Sequence, residues 1–190
     1  HDYRGKQVGV YFSGDTLFHP DYWGQTAFQR AVLWMLLGWK LRHPGKQLYW
    51  FLICSGFRTF LSMARSVPEH WPHYQRGAPK WEAGLIDSLS QDRFGAAWDA
   101  EAGVVKPGGA QVVLKQSVAP FTRDVLALPE VQFFTARNPG YAEGDELAMI
   151  GHLNLEVVIH LVRKWTRRFA GNLLKRIVVG LRPRVVSTTP

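Results

Sequence analysis

The sequence predicts an α/β (α+β) fold: one mixed parallel and antiparallel central sheet flanked by helices. Three observations carry that expectation. Gln7 to Phe12 (Gln-Val-Gly-Val-Tyr-Phe) is rich in β-branched and aromatic residues, the composition of a strand. Residues from about Gly24 to Arg42 are apolar on more than one face, as in a helix buried between a sheet and a second element, and His43-Pro44-Gly45 ends them. Gln47 to Cys54 is a nearly continuous apolar run, the mark of a central strand covered on both sides. Strand, helix, strand in this order implies a right-handed crossover and a parallel pair. A chain of 190 residues with 46% hydrophobic side chains is enough for one packed domain.

The first strand bends at Ser13-Gly14-Asp15, with a continuation towards Phe18. After Cys54, Ser55-Gly56 opens a helix from Arg58 to about Ser66, closed by Pro68. Glu69 to Pro79 is rich in proline and aromatic residues and reads as an ordered loop. Trp81 to Phe94 places Leu85, Ile86, Leu89 and Phe94 at helical spacing, giving a modest amphipathic helix. Glycines and prolines then punctuate the chain densely from Gly95 to Pro129, with a short strand expected at Gln111 to Leu114. Residues 67–130 are therefore read as an insertion or cap on a domain spanning 1–156. Val131 to Ala136 and Glu146 to Leu153 are expected as two late strands joined by a connection with Pro-Gly and Gly-Asp turn chemistry. From Leu155 to about Leu181 the pattern is helical, with Val158, Leu161, Val162, Trp165 and Phe169 opposite Arg163, Lys164, Arg167 and Arg168.

The net charge of +8 is unevenly placed. Residues 1–156 carry 15 Lys/Arg and 15 Asp/Glu, whereas 157–190 carry eight Lys/Arg and no acid. The excess belongs to a basic amphipathic C-terminal helix and tail, suited to an anionic lipid surface or an acidic partner. A neutral body lacks the second basic surface of a dedicated nucleic-acid binder, which makes nucleic acid the less favoured partner. Cys54 is the only cysteine, so no intrachain disulfide can form, and a reducing, cytoplasmic compartment fits. The apolar run Ala31 to Trp39 is about half of the roughly 20 residues needed to span a bilayer, so it is read as a buried helix.

The junction of the first strand and helix carries a family resemblance. Asp21-Tyr22-Trp23-Gly24-Gln25-Thr26-Ala27-Phe28 resembles the pyrophosphate-binding start of the GNAT superfamily of N-acetyltransferases, whose pattern is R/Q-x-x-G-x-G/A. Pro20, Tyr22, Gly24 and Gln25 fit; Trp23 stands in place of the usual arginine, and Thr26 and Phe28 in place of two later glycines. Glycine lets backbone N–H groups approach a phosphate closely, and Thr26 and Phe28 narrow that approach. The resemblance covers residues 7–66 and 131–155, with no counterpart for the earlier strands and helices of that fold. In style it is nearest to N-acyl amino acid and acyl-homoserine-lactone synthases, whose pyrophosphate motif is also relaxed. It implies an acyl donor, acyl-CoA or acyl carrier protein, held by Tyr22, Trp23, Gly24, Gln25 and Thr26; Ser55 and Arg58, by their place where the second strand meets its helix, are read as further donor contacts. If the chain is complete, it also implies an oligomer or partner subunit that completes the sheet.

Transfer to an amine needs a base for the amine and an acid for the leaving thiolate. Asp15 and His19, after the first strand, and Tyr74 are the candidates. Ser55 and Arg58 sit where the second strand meets its helix, the crevice position in open α/β sheets. Cys54, at the end of an apolar strand, reads as an inert core residue. His70 and His73 lack a third ligand nearby, so no metal site is expected. No Gly-x-Ser-x-Gly elbow, Walker loop or tandem-glycine dinucleotide motif occurs. The leading expectation is N-acyl transfer from acyl-CoA or acyl carrier protein to a small amine. The alternative is a non-catalytic GNAT-like interaction module that binds anionic membrane or a partner through its basic C-terminal helix.

Overall fold

The computed structural model describes residues 1–14, 27–106, 123–160, 163 and 166. A short hairpin, β1 (Asp2–Tyr3) and β2 (Lys6–Gln7), turns through Arg4 and Gly5, both at positive φ. There follow β3 (Gly9–Ser13), α1 (Ala27–Arg42), β4 (Leu48–Cys54), α2 (Phe57–Ala64), β5 (His70–Trp71), α3 (Lys80–Phe94), β6 (Trp98–Asp99) and β7 (Val104–Val105). After residue 122 come α4 (Arg123–Leu126), α5 (Pro129–Arg137) and β8 (Glu146–His152). Residues 155–160 open a last helix, α6, where Asn154 Oδ1 accepts the Val157 N–H at 3.1 Å as an N-cap.

The main sheet runs β3-β4-β8-β7-β6, and β5 lies beside β8 on the same edge as β7. β3 and β4 are parallel, in register from Gly9 with Leu48 to Ser13 with Leu52. β8 is antiparallel to β4, from Tyr49 with His152 to Cys54 with Leu147. The sheet is thus mixed and flanked by helices, as the periodicities of β3, β4, α1, α2, α3 and β8 imply.

Strand alternation divides the core between two faces. On one face Tyr49, Phe51, Ala148 and Ile150 meet Leu85, Ile86 and Leu89 of α3. On the other, Leu52, Cys54, Leu147 and Met149 meet Phe57, Phe60 and Met63 of α2, Val131 and Phe134 of α5, and Val157 of α6. Helix α1 lies over this second face, because Gly9 and Leu48 point that way and a side chain on Gly9 would overlap the Trp39 ring.

Three expectations change. Val131 to Ala136 is not a strand but the body of α5, so β8 stands without the expected hairpin partner. Pro129 is pre-organised for the first turn, and Val131 and Phe134, three residues apart, bury one helical stripe. The loop Glu69 to Pro79 contains β5, whose His70 and Trp71 pair with Gly151 and Ile150. The described part of the expected cap, residues 67–106, is built into the sheet and core: it supplies β5, β6, β7 and α3. The strand expected at Gln111 to Leu114 and the basic tail beyond residue 166 lie outside the described residues.

Candidate functional site

The carboxyl ends of β3 and β4, two parallel neighbours, open at the same edge of the sheet, where ligands settle in open α/β folds. Trp50 Nε1 donates to Ser13 Oγ at 2.7 Å and ties the two strands there. One residue past β4, Ser55 Oγ donates to Glu146 Oε1 at 2.5 Å. Glu146 begins β8 and is only 8% exposed, so its carboxylate is a buried acid at the mouth of this edge. Gly56 then caps α2 in extended conformation, and Arg58 and Thr59 project from the first turn into solvent. A short helix start beside an exposed guanidinium suits an anionic group.

Cys54 packs as a core side chain. Its thiol is buried 3.3 Å from Met149 Sδ, and burial pushes it well above the ordinary thiol range, with the Glu146 charge adding to the rise.

Comparison with protein-family models, curated proteins and solved structures finds no match. The reading of this edge therefore rests on its own geometry.

Of the site residues expected from sequence, Ser55 and Arg58 come together at that edge. Tyr74 lies three residues past β5, where its ring stacks on His73 at 5.0 Å, and His73 stacks on His70 at 4.6 Å. Asp15, His19, Tyr22, Trp23, Gly24, Gln25 and Thr26 lie outside the described residues.

The far end of β8 holds a second polar cluster. Glu69 Oε2 accepts from Asn154 Nδ2 at 2.9 Å and lies 3.1 Å from His152 Nδ1. The His152 ring stacks on Tyr49 at 5.0 Å. Tyr49 is fully buried; burial pushes its hydroxyl up to about 12, and the Glu82 carboxylate adds to the rise, so it stays a neutral phenol. A carboxylate on Nδ1 fixes the orientation of His152, while Asn154 in the same cluster caps α6. The arrangement locks the β8–α6 joint.

His70 is buried with Nδ1–H donating to the Val67 carbonyl at 2.8 Å. Burial lowers it to about 4, with His73 and Arg76 adding to the depression, so the ring is neutral near pH 7. Among the described residues no group of three or more His, Cys, Asp or Glu is placed to hold a metal ion. Nor does a described helix have the length and apolarity to cross a membrane.

Sequence reasoning missed Glu146 and the Glu69–His152 pair. Ser55 and Glu146 are 91 residues apart, and Glu69 and His152 are 83. No local spacing announces either; the strand pairing of β8 with β4 and β5 makes both.

Proposed function

We propose that this chain is a GNAT-like N-acyltransferase, taking an acyl group from acyl-CoA or acyl carrier protein to a small amine. One observation carries the reading: β3 and β4 are parallel with α1 between them in the chain, and their carboxyl ends open beside the start of α2. This is the arrangement that the Pro20 to Phe28 resemblance calls for. Arg58, exposed at that start, supplies a cation for the donor's phosphates. Ser55 and the buried Glu146 provide an adjoining hydrogen-bonded acid that can orient a polar acceptor.

Thermal-shift titration with coenzyme A, a long-chain acyl-CoA and acyl carrier protein tests it. A donor at a hundred times its Kd stabilises the fold by about 2.7 kcal/mol, a clear rise in Tm. Arg58→Ala is expected to weaken donor binding roughly tenfold, the effect of losing one charge-assisted hydrogen bond. No stabilisation by any of the three donors would refute the reading.

A further inference from the structure

The outer surface of the two-sided sheet is unequal in a way that the acyl-transfer proposal does not use. The large apolar side chains exposed among the described residues are Trp34, Met35, Leu41, Leu126, Leu155 and Ile159. They belong to α1, α4 and α6, whereas α3, across the sheet, presents none. Both α1 and α6 pack on the same sheet face: Trp39 of α1 covers Gly9, and Val157 of α6 joins the core cluster of α2 and α5.

Helix α1 concentrates the effect. Trp34 is 70% exposed, Met35 49% and Leu41 82%. With Ala31 and Gly38 they occupy positions i, i+3, i+4, i+7 and i+10, a continuous stripe beside the Trp39 side that packs on Gly9. Exposed Arg30 and Arg42 stand at its two ends, and the helix has no Asp or Glu. Apolar side chains with a tryptophan, bracketed by arginines, match the two layers of a bilayer surface: hydrocarbon below, anionic headgroups above.

We infer that the outer stripe of α1 seats the protein on an anionic lipid bilayer, with Trp34, Met35 and Leu41 entering the interface and Arg30 and Arg42 meeting headgroups. Charge selects this occupant. A second copy of the chain would set arginine against arginine across a helix that has no acid to pair with them. A nucleic acid matches the arginines but offers no hydrocarbon for Met35 and Leu41. The exposed Leu155, Ile159 and Arg163 of α6, one turn apart, carry the same pairing of apolar and basic groups on this side.

Vesicle co-sedimentation of the full chain tests the inference, using phosphatidylcholine vesicles with and without phosphatidylglycerol. The wild type is compared with a combined Trp34→Gln, Met35→Gln, Leu41→Gln variant whose fold is checked by circular dichroism. The wild type is expected to bind the phosphatidylglycerol vesicles, with a blue shift of tryptophan fluorescence, and the variant to lose roughly tenfold or more in partitioning. Equal binding by the two proteins would overturn the inference, because the basic tail would then suffice. So would absence of vesicle binding, or a concentration-dependent dimer in light scattering that the variant abolishes, which would assign the stripe to a second copy. Coenzyme A binding by the variant is expected to be unchanged, which separates this surface from the proposed acyl-donor edge.

Discussion

The two faces of the sheet have comparable interiors and different exteriors. Under α3, Tyr49, Phe51, Ala148 and Ile150 are closed over, and every exposed residue of that helix is polar, charged or alanine. Under α2 and α5 the interior is equally tight, yet the outer helices of that face hold Trp34, Leu41 and Leu155 in solvent. The difference teaches that core patterning and surface patterning are separate signals. Apolar periodicity on α1 reads as burial, but only the Trp39 side finds a sheet to cover.

The interiors should behave alike when broken. Phe60, fully buried between Phe133, Phe134 and His70, is expected to cost about 3–5 kcal/mol on truncation to alanine, and Leu85, fully buried on the α3 face, about 2–5 kcal/mol. Urea denaturation of both variants checks this. A cost below about 1 kcal/mol at either site would mean that the face concerned is loosely packed.

A pH-dependent difference should separate the faces next. His70 belongs to the α2 face, edge-on to Phe60, and its folded-state value of about 4 lies below the ordinary 6.5. Folding therefore favours the neutral ring. The associated stability is present above pH 6.5 and is lost as pH falls from there towards 4, by on the order of 3 kcal/mol. His73, exposed further, is depressed in the same direction by partial burial and Arg76. Denaturation midpoints between pH 7 and pH 4 should fall more steeply for the wild type than for His70→Phe. Parallel slopes would show that His70 does not carry the effect.

The fold was legible where one element carries its own period. β3, β4, β8, α1, α2 and α3 announce themselves through alternation, unbroken apolar runs or i, i+3, i+4 spacing. The misreading of α5 has a physical cause: Val131-Gln-Phe-Phe-Thr-Ala has strand composition, and Pro129 together with the buried stripe of Val131 and Phe134 outweighs it. β5, β6 and β7 have two residues each and exist because β8, or each other, offers a ladder; two residues cannot show a period. The site was legible only to the same depth. Ser55 and Arg58 follow from the rule that ligands gather at strand ends, but Glu146 reaches Ser55 only through strand pairing.

The polar joint at the far end of β8 gives a smaller effect. Glu69→Ala removes the acceptor that Asn154 and His152 share, and is expected to cost about 1–2 kcal/mol, since Glu69 is itself partly exposed. Amide exchange should then quicken at residues 155–160, because Asn154 loses the group that holds its capping side chain. Ser55→Ala, at the opposite end of the strand, should leave those amides unchanged. Faster exchange at α6 in both variants would mean that β8 transmits the disturbance, and the two ends would count as one unit.

The smallest expected change concerns the outer stripe. Trp34→Gln alone, on a side chain 70% exposed, removes little buried area and should alter the urea midpoint by no more than about 0.5 kcal/mol in either direction. Gly9→Ala makes the informative contrast on the inner side of the same helix, since its methyl group would meet the Trp39 ring. Overpacking there is expected to cost about 1–3 kcal/mol. If Trp34→Gln instead destabilised the chain as much as Gly9→Ala, Trp34 would have a partner within the folded chain, and the unequal exteriors of the two faces would reduce to one.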